Sequence, residues 1–148
     1  MDGLDDLYKE IILDHYRSPR NRGELAVPPA ISAEGFNPLC GDQVTVYVEL
    51  DGDVISDIKI TGTGCSISQA SASLMTAAVK GKTTSFAYDR LAVFKRLMTI
   101  DDTPGEPVNL RQLGEMAALQ GVAQFPARIK CAILAWNTLD QALTQSPQ

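Results

Sequence analysis

The sequence predicts an α+β fold, with a small antiparallel three-stranded sheet and about five helices. Three observations lead there. Val44, Val46 and Val48 alternate with Thr45, Tyr47 and Glu49, the period-two pattern of a half-buried strand. Asp51-Gly52 follows directly and supplies a hairpin turn, so the next strand runs back antiparallel. On both sides of this hairpin, apolar residues recur at helical spacing. A chain of 148 residues, 45% of them hydrophobic, suits one domain spanning 1–148 with a real core.

The elements follow in order. Leu4, Leu7, Tyr8, Ile11 and Ile12 predict an amphipathic helix over 3–16, which Pro19 ends. A polar, proline-containing connector runs from Ser18 to about Pro29, and a strand is expected near 30–36. The hairpin partner is expected over 54–60, with Ile58 and Ile60 in step. It delivers the chain to a glycine-bracketed loop, Gly62-Thr63-Gly64-Cys65. Ile67, Ala70, Leu74 and Ala78 mark a helix over 66–80, closed by Gly81. Two more helices are expected over 84–99 and 110–120. Between them Asp101 to Pro107 is rich in turn residues, and Asn109 is the expected N-cap of the second. Pro126 opens the last helix.

Thirteen basic against 18 acidic residues give a net charge of −5. No dense basic stripe suggests nucleic acid, and the small Arg17, Arg20, Arg22 group reads as a solvated turn or a protein-docking patch. No apolar run approaches the roughly 20 residues of a spanning helix. Asp2, Asp5 and Asp6 stand where a signal peptide would be basic, so a cytoplasmic setting is expected. In that setting, an odd count of three cysteines argues for reduced thiols rather than a disulfide framework.

Those cysteines carry the chemistry. They stand in Asn37-Pro38-Leu39-Cys40-Gly41-Asp42, in Thr61-Gly62-Thr63-Gly64-Cys65-Ser66 and in Arg128-Ile129-Lys130-Cys131. Three thiolates and one carboxylate can complete a four-coordinate zinc site, since zinc takes sulfur and oxygen ligands tetrahedrally. The competing reading is three buried core thiols. Against it, Cys131 falls away from the stripe of Ile129, Ile133, Trp136 and Leu143, and Cys65 falls opposite Ile67, Leu74 and Ala78. Both stand near an expected helix start, where free N–H groups stabilise a thiolate. Arg128 and Lys130 add positive charge beside Cys131 or are surface residues. Cys40 differs, being a loop cysteine beside glycine and better suited to moving between partners. Asp42 reads as a metal ligand, an acid-base group or a turn residue bonding its own backbone.

The three cysteine motifs, together with Tyr8 through His15-Tyr16-Arg17-Ser18-Pro19-Arg20-Asn21, resemble the U-type (IscU/NifU-like) iron-sulfur assembly proteins over nearly the whole chain. Within that family the chain is similar to the SufU branch. IscU-type scaffolds have a histidine immediately before the third cysteine, where Lys130 stands here, and a shorter stretch between the second and third cysteines. The only histidine, His15, lies in the opening motif and suggests partner docking or helix packing rather than metal binding.

The resemblance implies an IscU-like domain, its antiparallel sheet covered by helices, with zinc held by Cys40, Asp42, Cys65 and Cys131. It implies that Cys40 accepts persulfide sulfur from a SufS-type cysteine desulfurase and passes it toward iron-sulfur assembly proteins. Asp42 serves as metal ligand or acid-base group. The alternative within the family is a scaffold on which a [2Fe-2S] cluster is built. A third reading, zinc as a purely structural staple, is weakened by a chain long enough to fold without one.

Overall fold

The computed structural model describes residues 2–38, 41–98 and 114–145, with the side chains of 2–7 and 123–124 set aside. Its elements are helix α1 (Asp2–Arg17), strands β1 (Ile31–Asn37), β2 (Asp42–Asp51) and β3 (Val54–Thr63), and helices α2 (Ser66–Val79) and α3 (Thr84–Leu97). A 3₁₀ segment (Gly114–Gln124) and helix α4 (Pro126–Thr144) complete it. The expected α+β architecture, three antiparallel strands with five helices among the described residues, is what the chain adopts. The turn-rich stretch 101–107, the Asn109 cap and the start of the helix expected over 110–120 lie outside the described residues. From Gly114 onward that helix is a 3₁₀ segment.

The sheet is a meander in the order β1-β2-β3, both pairs antiparallel. Gly52, with φ +64, turns β2 into β3, as a two-residue hairpin loop requires. Alternation sets the faces. Val44, Val46, Val48, Ile58 and Ile60 are buried, while Thr45, Tyr47, Lys59 and Thr61 are half-buried on the other face. Helix α4 lies against β1 and β2, and α2 packs against β3 and α4. Helix α1 rests on α2 and on the 3₁₀ segment.

Two departures from the sequence reading bear on function. Strand β3 continues past Ile60, because Thr61, Gly62 and Thr63 still pair with Thr45, Val44 and Gln43. Gly62 permits this: its φ is +149, and an added Cβ would run into the Gln43 carbonyl and lie 2.9 Å from the Val44 Cα. The second departure corrects the helical-wheel reading of Cys131, which is fully buried. Helix α4 is gripped by α2 on one side and the sheet on another, so its buried face also takes in Ala132, Ala135, Thr138, Leu139 and Ala142. A single-stripe wheel misses an arc that wide.

The basic group after α1 is a structured turn. Asn21 O and the Gly23 N–H bond Ile60, covering the edge of β3. Arg20 pairs with Asp14 at 2.6 Å, and this hydrogen-bonded guanidinium holds the Asp14 carboxyl below its usual range. Among the described residues, no helix is long and apolar enough to cross a membrane.

Phe94 of α3 stacks on Trp136 of α4 with ring centroids 5.6 Å apart, and both rings are fully buried. Phe94→Ala is expected to cost about 3–5 kcal/mol in urea unfolding and to red-shift the emission of Trp136, the only tryptophan. An unchanged midpoint and spectrum would show that α3 contributes nothing to the core.

Candidate metal centre

Asp42 opens β2 opposite Asn37, the last residue of β1. This rung closes the short connection that carries Cys40, and Cys40 itself lies outside the described residues. Strand alternation turns Asp42 inward with Val44 and Val46, so its carboxylate is fully buried. Its Oδ1 accepts the Cys65 backbone N–H at 3.0 Å. Its Oδ2 is buried without a hydrogen-bond partner among the described residues.

Cys65 is the N-cap residue of α2, with extended backbone (φ −72, ψ 169) and a half-buried side chain. Its carbonyl accepts the Gln69 N–H and the Ser68 hydroxyl, both at 3.1 Å, which starts the helix. The cap is therefore reversed in origin: the carboxylate that satisfies a free N–H at this terminus comes from β2, not from the capping side chain. Gly64 leaves the room. An added Cβ there would lie 2.5 Å from both Asp42 Oδ1 and Ser68 Oγ.

Cys131 comes from α4, but in its second turn, beyond the free N–H groups of the helix start. Cys65 therefore stands at a helix start, as expected, and Cys131 does not. Cys131 Sγ instead has Asn37 Nδ2 at 3.8 Å and Ala127 O at 3.9 Å. Arg128 and Lys130 are exposed on the outer side of the same turns.

Two sulfurs and one carboxylate oxygen thus meet from three elements, all within 4.8 Å of one another. The donor set fits zinc, which binds thiolate and carboxylate at about 2.0–2.3 Å. Asp42 supplies the independent test of that fit. A fully buried carboxylate with one bare oxygen is costly unless a cation balances it, and the two thiols stand where such a cation would sit.

His15 takes no part. It is buried between helices, with Nδ1 2.7 Å from Ser73 Oγ of α2 and Nε2 3.3 Å from Glu115 Oε1 of the 3₁₀ segment. Ser73 Oγ also accepts the Arg20 N–H at 2.8 Å. The histidine packs helices together, one of its two expected roles. Asn37 was the residue missed. It stood inside the first cysteine motif, but the sign of its importance is a strand register that residue types do not reveal.

A buried carboxylate, a buried thiol and a capping thiol converging at the end of a three-stranded meander define a small α+β protein with a candidate metal centre. The chain belongs to the NifU-like N-terminal domain family, whose model matches residues 7–132. It is 44% identical to the zinc-dependent sulfurtransferase SufU of Bacillus subtilis (strain 168), over 96% of this chain and 92% of that protein. It is 40% identical to the iron-sulfur cluster assembly scaffold protein IscU of Streptococcus pyogenes serotype M1, over 97% of this chain and 86% of that one. Among solved structures, a putative iron-sulfur cluster assembly scaffold protein for the SUF system from Fervidobacterium islandicum AW-1 superposes with a TM-score of 0.83. Its identity is 35%, covering 95% of this chain and 99% of that one.

His15→Ala is expected to leave zinc content unchanged while lowering stability by about 1–3 kcal/mol, the cost of depriving the buried Ser73 hydroxyl of its imidazole partner. Elemental analysis beside urea unfolding checks both, and loss of zinc at wild-type stability would return His15 to the metal site.

Proposed function

We propose that the protein is a zinc-dependent sulfur acceptor, taking persulfide sulfur from a SufS-type cysteine desulfurase and handing it to iron-sulfur cluster assembly. The observation that carries this is the convergence of Asp42, Cys65 and Cys131 donor atoms within 4.8 Å, with one Asp42 oxygen buried and without a partner among the described residues. The similarity to the Bacillus SufU over nearly the full length of both chains supports it.

In this reading Asp42, Cys65 and Cys131 hold the metal, and Cys40, two residues before Asp42, completes the set and acts as nucleophile. Bound zinc supplies a positive charge that keeps its thiol ligands deprotonated. The Cys40 thiolate attacks the outer sulfur of the desulfurase persulfide. A Cys40 S–S bond forms, the donor's S–S bond breaks, and the desulfurase cysteine leaves as thiolate. The exchange is redox-neutral and needs no further reactant. The Cys65 N–H would hold the Asp42 carboxylate in place independently of Cys40.

The relationship to the Streptococcus scaffold favours one second reading, assembly of a [2Fe-2S] cluster on the same cysteines. Metal analysis of protein purified without chelators, beside desulfurase turnover with and without it, separates the two. Zinc with stimulated turnover supports sulfur acceptance, whereas iron, sulfide and visible absorbance without stimulation would replace it by the scaffold.

Cys40→Ala is expected to abolish sulfur acceptance. Cys65→Ala and Cys131→Ala should also lose zinc and unfold more readily, because metal binding free energy is folding free energy. Full sulfur acceptance by Cys40→Ala, measured as persulfide on the protein after a single desulfurase turnover, would sink the assignment of the nucleophile.

A further inference from the structure

We infer that Asn37 is a positioning residue for the metal centre, its side-chain amide holding the Cys131 sulfur through an N–H···S hydrogen bond. The inference rests on the proposed metal site and adds to it a group that binds no metal.

The placement follows from β1 and α4. Ala33, Gly35 and Asn37 are the inward positions of β1. At Gly35 the absent side chain lets α4 approach: an added Cβ would overlap Thr138 Oγ1 and lie 3.1 Å from Leu134 Cδ1. From Gly35 to the next inward position the strand advances about 6.7 Å. Along α4, Cys131 lies three residues before Leu134 and seven before Thr138, about 4.5–10.5 Å away and on the same face. The two steps match, so the seam closed at Gly35 brings the Asn37 amide onto Cys131, with Nδ2 3.8 Å from Sγ. Asn37 is 6% exposed and Cys131 is not exposed at all, so water does not compete for this contact.

The chemistry suits a sulfur that binds a cation. Two polar neighbours of Cys131 Sγ differ in kind. The Ala127 carbonyl 3.9 Å away can only accept, so it serves the thiol and loses its bond when the proton is gone. The Asn37 N–H donates, so its bond persists and strengthens when the sulfur carries negative charge. Asn37 also forms the last β1–β2 rung with Asp42. One residue thereby fixes one sulfur donor by its side chain and faces the carboxylate donor across the ladder. Groups that orient metal ligands in this way typically change affinity 10–100-fold when removed.

The test compares zinc affinity by chelator competition, and the sulfur-to-cobalt charge-transfer bands of the Co²⁺-substituted protein, in wild type, Asn37→Ala and Asn37→Asp. Both variants should bind zinc about 10–100-fold more weakly, the isosteric Asp at least as weakly as Ala, with shifted bands. Apo-state stability is followed alongside, because a merely structural Asn37 would lower it and leave the bands alone. Wild-type affinity and bands in either folded variant would overturn the inference. A third measurement needs no variant: in wild-type protein loaded with ¹¹³Cd, the Asn37 side-chain amide protons should exchange slowly and couple to cadmium. Free exchange there would equally overturn it. Wild-type protein that binds neither zinc nor cobalt would overturn the metal reading itself, a distinct failure.

Discussion

The Asp42 carboxylate, fully buried and bonded to the backbone N–H of Cys65, ties the sheet to the start of α2. Burying a carboxylate carries a large desolvation cost, and a single N–H partner offsets only part of it. The surrounding structure is arranged around that constraint. Gly64 is small so that the loop can close on the carboxylate, and Gly62 is small so that β3 can stay paired until the loop begins. The carboxylate also lies close to two thiols, with a carboxylate oxygen and both sulfurs within 4.8 Å of one another. A cation bound beside it would turn a costly buried group into a source of stability and so couple folding to metal binding.

The helices enforce the same geometry from the other side. Helix α2 carries Ala70, Ser71, Ala72 and Ser73 in its buried middle, and the Ser71 hydroxyl reaches the Ala132 carbonyl at 2.5 Å. Small residues let α2 and α4 come close, and Gly35 does so for α4 and β1. Close packing on two sides is why Cys131 is held inside although it stands off the aliphatic stripe of its helix. His15 serves the same end further out, joining α1 to Ser73 of α2 and to the 3₁₀ segment.

Much of this was legible in the sequence. The Asp51-Gly52 turn and the valine alternation specify the hairpin because both signals are local, and α1 and α2 carry periodic patterns ended by Pro19 and Gly81. Asp42, Cys65 and Cys131 were legible as candidate ligands because few residue types bind zinc, and the fold brings these three together. The continuation of β3 was hidden, since Thr61-Gly62-Thr63 has no apolar alternation and is held by pairing alone. The burial of Cys131 was hidden because alanines count weakly in a helical wheel, yet pack as tightly as larger residues when two neighbours approach. Asn37 was hidden because its role depends on which inward strand position meets which helical turn.

The unequal settings of the donors bear on how such a site would release sulfur. Asp42 and Cys131 are fully buried on a strand and inside a helix, and neither can leave without breaking the sheet rung or the α4 packing. Cys65 is half-buried, but its backbone starts α2 and its N–H holds Asp42, so its movement would uncap the helix. Three donors are thus fixed by the same bonds that fix the fold. Under the proposed function, ligand exchange falls to the remaining cysteine, Cys40, which the sequence places between β1 and β2. A rigid three-donor base of this kind would, under the proposed function, keep the metal in place while Cys40 leaves it, without opening the fold.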